Sequence, residues 1–221
     1  NDLNKEKALY GKSCLVTAGP THENIDPVRY LGNRSSGKMG MAIAEELATK
    51  GASVDLVIGP SNLLSTHPNI KQLNVVSADE MYSAVSSRFD KQDIAIFAAA
   101  VSDYKPKKVF SKKIKKSDNS IDLSFEQNKD ILSEMSFRKS KSQIVVGFAL
   151  ETENEIENAK KKLQNKNLDF IVLNSLREKG AAFGFDTNKI TIIDKDLNVK
   201  HFKLKDKKEV ASDIVDLILE K

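Results

Sequence analysis

The sequence predicts an α/β fold in which a mostly parallel sheet is flanked by helices. Three observations carry this. Short apolar, β-branched runs alternate along the chain with longer segments of helical period, the pattern of βαβ units, whose strands are buried on both faces. The longer segments keep apolar residues on one helical face, as a helix lying on a sheet requires. Glycine and proline stand where elements should end, with Gly51 after the first helical stretch and Gly59-Pro60 after the second strand, one a C-cap and the other a turn.

In chain order, residues 1–10 read as a linker-like segment and residues 11–221 as a single domain. Ser13–Ala18 is the first strand, with Cys14 in its apolar centre as a small core residue rather than a nucleophile. The pattern then gives a helix over Lys38–Lys50, strands over Ser53–Ile58 and Gln72–Val76, a helix over Ala78–Phe89 and a strand over Asp93–Ala99. Further on it gives a helix over Asp130–Arg138, a strand over Gln143–Phe148, a helix over Thr152–Lys166 and a strand over Leu168–Asn174. A small β-ribbon of Lys189–Asp194 and Asn198–Lys203, turning at Lys195-Asp196-Leu197, precedes a last helix over Glu209–Leu219.

Two regions break the alternation. Lys105–Gln127 opens with Pro106 and a run of lysines and passes through Ser117-Asp118-Asn119-Ser120. It then alternates Ile121, Leu123 and Phe125 with polar residues, so it reads as a projecting hairpin arm with one apolar edge. Gly180–Gly184 is a loop before the ribbon.

Composition narrows the function classes. Hydrophobic residues make up 40% and charged residues 30% of 221, with 10 glycines and 5 prolines, which excludes disordered and fibrous proteins. A net charge of +4 is too small to mark a nucleic-acid binder unless basic residues gather on one face; no nucleic-acid partner is expected, the competing reading being a binding module in which Lys105–Lys116 meets nucleic acid or an acidic partner. The single cysteine excludes an intrachain disulfide and a cysteine-built zinc site and points to a reducing cytoplasm. No apolar run reaches the roughly 20 residues of a membrane helix, so no membrane partner is expected. The first residues lack both a signal-peptide pattern and an initiator Met, which reads as a fragment or processed chain.

Three motifs compete for the chemistry. Gly32-Asn33-Arg34-Ser35-Ser36-Gly37-Lys38-Met39 has P-loop spacing up to Met39, which replaces the magnesium-holding Ser or Thr, and Gly19–Leu31 separates it from its strand; both argue against a P-loop NTPase. Small residues at a helix start beside Lys38 still suit a phosphate or carboxylate. Tyr104 and Lys108 have dehydrogenase spacing, but Pro106 between them opposes the helix that spacing needs and no Gly-x-Gly-x-x-Gly follows the first strand, so NAD(P) chemistry is the weaker reading. The lysines read as solvated surface, except that Lys162 and Lys166 lie four apart on one helix face, where they suit a polyphosphate. His22, His67 and His201 show no metal spacing, and no protein side chain is assigned to a metal.

Six segments taken in order resemble one family. They are Thr17-Ala18-Gly19-Pro20-Thr21, Ile25-Asp26-Pro27-Val28-Arg29-Tyr30, Asn33-Arg34-Ser35-Ser36-Gly37-Lys38-Met39-Gly40, Ala98-Ala99-Ala100-Val101-Ser102-Asp103-Tyr104, Lys113-Ile114-Lys115-Lys116 and Gly147-Phe148-Ala149-Leu150-Glu151-Thr152. Together they resemble phosphopantothenate-cysteine ligase, in the form that in bacteria follows a flavin-dependent decarboxylase. The resemblance implies a Rossmann-like sheet and ligation of 4'-phosphopantothenate to cysteine through an acyl-cytidylate, with CTP as co-substrate and Mg2+ on its phosphates. It also implies a homodimer through the arm, with FMN confined to a decarboxylase half outside this sequence.

The same resemblance assigns residues. Lys113, first of its Lys-Ile-Lys-Lys motif, would neutralise departing pyrophosphate, and Asn33 would hold the acyl-cytidylate for the second step. Gly19, Ser35, Ser36, Gly37 and Lys38 would join Asn33 in holding phosphopantothenate. The CTP site would comprise Ala98, Ala99, Ala100, Asp103, Asn128, Lys129, Asp130, Ile131, Phe148, Lys162 and Lys166 along with Lys113. Lys129 departs from the proline common in relatives, and Ser111-Lys112 departs from their less basic lead-in to Lys113. Phe148 reads equally as a core aromatic.

Overall fold

The computed structural model describes residues 7–115, 121–151, 153–175 and 186–220. Lys116, the turn 117–120, Thr152 and the Gly180–Gly184 loop lie outside the described residues. An eight-stranded sheet forms the centre, with six parallel strands, β1 (Ser13–Ala18), β4 (Ser53–Ile58), β5 (Ile70–Asn74), β6 (Ile94–Phe97), β9 (Ile144–Glu151) and β10 (Phe170–Ser175). β12 (Ile190–Asp194) and β13 (Val199–His201) extend it antiparallel beyond β10, so the C-terminal ribbon becomes an edge of the main sheet. The order β13-β12-β10-β9-β6-β1-β4-β5 reverses direction between β1 and β6, the switch point of a doubly wound Rossmann-like sheet.

Alternation along each strand sorts side chains to two faces. Cys14, Val16 and Ala18 face α1 (Lys38–Thr49) and α5 (Lys207–Leu219), in a core with Ile43, Leu47, Ile214 and Ile218. Leu15 faces the other side, where α2 (Ala78–Ser86), α3 (Ile131–Arg138) and α4 (Glu155–Asn165) supply Met81, Met135 and Leu163. Capping sets the helix starts: Ser77 accepts from the Glu80 N–H, and Asp130 from the Ser133 N–H.

Several boundaries differ from the sequence reading. Leu9 is 2% exposed within the core and its N–H donates to the Lys50 carbonyl, so the domain begins before Gly11 and residues 7–10 are no linker. β5 starts two residues earlier than Gln72, because parallel register with β4 pairs Val54 with Ile70; an edge strand rich in Lys71, Gln72 and Asn74 carries no strong apolar signal. Gly19–Leu31 holds a missed ribbon, β2 (His22–Asn24) paired with β3 (Tyr30–Gly32). Among the described residues the arm pairs at its base, β7 (Tyr104–Pro106) with β8 (Phe125–Gln127), while Ile121 and Leu123 lie outside any strand. A further pair, β11 (Thr187–Asn188) and β14 (Lys205–Asp206), leads into α5.

Candidate active site

A cavity of about 460 Å³ opens at the carboxyl ends of β1, β6, β9 and β10, where ligands bind in doubly wound folds. Its walls include Asn33, Ala98, Ala99, Ala100, Asp103, Asn128, Lys129, Asp130, Ile131, Phe148, Lys162 and Lys166. Residues scattered over 134 positions of sequence thus meet at the edge where the parallel strands end, Ala98–Ala100 and Asp103 from the chain leaving β6, Phe148 from β9, and the others from the end of the β2–β3 ribbon, the segment into α3 and α4.

Past the end of β6, the chain runs alongside the continuation of β1. Ala98 N donates to Thr17 O (3.2 Å), Ala99 N to Thr17 Oγ1 (3.3 Å) and Ala100 N to Gly19 O (2.8 Å). These N–H groups are taken, so the carbonyls are what Ala98 and Ala99 can offer a ligand. Asn33, just beyond β3, donates its Nδ2 to Ala100 O (3.2 Å) and Val101 O (3.0 Å). Asn128 donates to Ser102 O (2.8 Å), while its Oδ1 is buried on the cavity wall with no partner among the described residues. An unpaired buried acceptor is costly, and a ligand donor would satisfy it.

Two lysines from α4 and its C-terminal cap face this wall. Lys162 Nζ donates to Phe148 O (3.0 Å); burial pushes its pKa below the usual lysine value, and Lys166 lowers it further. Lys166 Nζ lies 2.6 Å from Asp130 Oδ2. Burial works to raise the Asp130 pKa, but Lys166 and the capping Ser133 N–H outweigh it, and the carboxyl ends below its usual value. Lys129 places its ammonium 4.1 Å from the centre of the Tyr82 ring. Phe148 is half-buried, packed against the α1/α5 core and lining the cavity.

The remaining predicted residues lie apart from this wall. Gly19 and Gly37, both at positive φ, meet backbone to backbone, where a side chain on Gly37 would come within 3.3 Å of Gly19 N. No side chain caps α1, so its first N–H groups remain open to an anion. Ser35 Oγ lies 3.4 Å from Gly37 N, and the Ser36 carbonyl accepts from Ser61. Lys38 pairs its ammonium with Asp186 at 2.5 Å beside a second cavity, lined also by Leu63 and Lys207, and does not line the Asn33 cavity. Lys113 is exposed on the arm and does not line the Asn33 cavity, because its segment runs along the 25–29 turn. Lys162 and Lys166 therefore share a site with each other but not with Lys113.

Sequence reasoning missed Arg34 and Asn174 on the cavity wall; Asn174 is the polar residue near the end of an apolar strand, which is the available signal. Tyr104 lies in β7, so it shares no helix with Lys108. Buried Cys14 has its thiol pushed up to about 12 by burial, in keeping with a core role. Among the described residues no cluster of three His, Cys, Asp or Glu is placed to hold a metal, and no helix is long and apolar enough to cross a membrane.

Residues 9–221 match the family model described as DNA/pantothenate metabolism flavoprotein C-terminal domain. The chain is 50% identical over 214 residues to a "Cysteine/Cysteine sulfinic acid decarboxylase" from an unknown prokaryotic organism, covering 97% of this chain and 60% of that protein. It is 44% identical over 219 residues to the "Coenzyme A biosynthesis bifunctional protein CoaBC" of Haemophilus influenzae, covering 99% of this chain and 54% of the relative. The solved C-terminal domain of a coenzyme A biosynthesis bifunctional protein CoaBC superposes with a TM-score of 0.81 at 40% identity, covering 97% of each chain. The chain thus spans little more than half the length of these curated relatives. Matched over nearly its whole length, it belongs to the DNA/pantothenate metabolism flavoprotein C-terminal domain family.

Proposed function

We propose that this domain joins 4'-phosphopantothenate to cysteine in coenzyme A biosynthesis, using CTP carried with magnesium. The observation that supports this most is the bonding of Asn33 to the Ala100 and Val101 carbonyls. It ties the loop at the open end of α1 to the cavity wall, so an acyl group and a nucleotide would meet at one residue.

A carboxylate is a poor acyl donor. In the first step its oxygen attacks the α-phosphorus of CTP, a new O–P bond forms, and pyrophosphate leaves with the electron pair of the broken bond. The cysteine amine then attacks the acyl carbon, CMP leaves with the C–O electron pair, and the nitrogen releases a proton to solvent. Lys162 and Lys166 neutralise the triphosphate, and Lys113, which stands apart from the cavity of its own chain, follows the departing pyrophosphate in the site of a second subunit that the arm reaches, as a mobile point charge. Asn128 Oδ1 and the Ala98 and Ala99 carbonyls are acceptors suited to the exocyclic amine of cytosine. Asn33 exchanges its two carbonyl partners for the acyl oxygen of the intermediate. Gly19, Ser35, Ser36 and Gly37 shape the open α1 end that takes an anionic group of phosphopantothenate, toward which Lys38 can swing by leaving Asp186.

Magnesium prefers hard oxygen donors, which the nucleotide phosphates supply; Asp103 on the cavity wall is of the same kind, whereas Asp130 is held by Lys166. We place the protein in the cytoplasm as a homodimer through the arm, where Val109 and Ile121 are exposed, and as one half of a longer chain whose decarboxylase part would hold FMN.

Pyrophosphate release tests the reading, with CTP and ATP in parallel, 4'-phosphopantothenate, and cysteine present or absent. CTP-dependent release that is lost in Lys113→Gln, with acyl-cytidylate accumulating in Asn33→Asp, supports it. Release with ATP alone overturns the nucleotide. No release with either, or CO2 evolved from cysteine when FMN is supplied, overturns the ligase.

A further inference from the structure

The Asp26 carboxylate is fully buried in the turn between β2 and β3. Oδ1 accepts from Val28 N (2.8 Å) and Arg29 N (2.9 Å), closing the turn between β2 and β3. Oδ2 accepts from both Nε (2.9 Å) and Nη2 of Arg29 and from Ile114 N (3.1 Å) on the arm. Arg29 Nη2 donates in turn to Ile114 O at 2.9 Å, so both peptide groups of Ile114 are held. Phe110 N donates to Ile25 O (2.9 Å), anchoring the other end of the same stretch.

The residue directly before Ile114 is Lys113. Its backbone is pinned on one side by the Asp26–Arg29 pair and three residues earlier by Ile25, while its ammonium has no hydrogen bond or ion pair among the described residues. The turn that does the pinning continues through β3 to Asn33. The ribbon is itself docked on the body: Glu23 Oε1 accepts from Ala78 N (2.9 Å), and His22 N donates to Val76 O (2.8 Å).

We propose that Asp26 and Arg29 are positioning residues that mount the arm on the β2–β3 ribbon, so that one rigid element sets the placement of both Lys113 and Asn33. This rests on the reading of Lys113 as the pyrophosphate-neutralising cation. A guanidinium fork and a carboxylate with every lone pair engaged hold a backbone far more narrowly than a loop's own contacts would. Misplacing a reacting group by about 1 Å costs on the order of 100-fold in rate.

The test compares Asp26→Asn, Arg29→Lys and Lys113→Gln. Asn keeps an acceptor but not the charge that the fork grips, and Lys keeps the charge but cannot bond Asp26 and Ile114 together; Arg29 is 43% exposed, so that variant leaves the core untouched. We expect kcat for pyrophosphate release to fall about 100-fold in both clamp variants, with KM for CTP changed by less than about threefold. Trypsin should cut the Lys113–Ile114 bond about tenfold faster, because local opening exposes it, with Arg29→Lys still folded at the assay temperature in a melting curve. Wild-type kcat in both clamp variants, or a cleavage rate at Lys113–Ile114 equal to wild type, overturns the proposal. Full activity in Lys113→Gln instead overturns the reading of Lys113, while the cleavage rates still decide whether the clamp exists.

Discussion

Lys166 and Asp130 form an ion pair of 2.6 Å that joins the C-terminal cap of α4 to the N-cap of α3 at the cavity mouth. The same lysine is the cation proposed to meet a triphosphate, so the ligand has to compete with Asp130. Asp130→Asn keeps a good N-cap and removes the competitor. A solvent-accessible pair is worth about 0.2–1 kcal/mol, so KM for CTP should drop by about 1.4- to fivefold in steady-state assays. A rise in KM would mean that the Asp130 carboxylate itself contacts the substrate complex.

Lys162 carries a pH prediction. Burial lowers its pKa, so deprotonation begins below the ordinary lysine range and nucleotide capture should weaken there. The alkaline limb of kcat/KM for CTP reports the free enzyme; it should lie below pH 10.5, the unperturbed lysine value, and move upward in Lys162→Arg, whose guanidinium stays charged. Stability carries the same sign. Between the lowered folded pKa and the unfolded value the native state binds fewer protons, so this group's contribution makes folding more favourable as pH rises through that window. Urea titrations on either side of it check this.

Phe148 can be assigned by Phe148→Leu, which roughly preserves volume. A swap of this kind costs less than about 1.5 kcal/mol if the ring only packs. If the ring also stacks on the base, about 1–3 kcal/mol of binding is lost, which raises KM for CTP. A melting curve and a KM measured together separate the two.

Gly59 supports the site from beneath. A β-carbon there would lie 1.6 Å from the Pro20 carbonyl oxygen, a backbone atom that no rotamer change can clear. Gly59→Ala therefore has to push Gly19-Pro20 outward, at about 1–3 kcal/mol. The displaced Gly19 carbonyl also receives Ala100 N–H, so thermal stabilisation by CTP should weaken along with the lower melting temperature.

The apolar runs that became β1, β4, β6, β9 and β10 were legible because a parallel strand is buried on both faces and must be apolar throughout. Hidden from sequence were β5, an edge strand, and the ribbon β2–β3, three residues a side and held by backbone bonds that composition does not encode. Most of the candidate nucleotide residues line one cavity: Ala98–Ala100 and Phe148 stand at the ends of β6 and β9, while α4 and the segment leading into α3 bring Lys162, Lys166 and Asn128–Ile131 to the same edge. Lys38 and Lys113 do not join them, because a long flexible side chain goes to its nearest partner, Asp186, and an arm goes where its backbone is tethered, here Asp26.

The sequence by itself therefore determined the alternation of elements, the fold class and the family motifs, all of which depend on local burial and short-range spacing. Only the tertiary structure decided that Asn33 bonds the wall of the cavity, that Asn128 leaves an acceptor open there, and that Asp26 and Arg29 grip the residue beside Lys113. Those are hydrogen bonds between residues 67 to 88 positions apart or the lack of one, and their geometry is set by how strands and turns pack, which no spacing along the chain specifies.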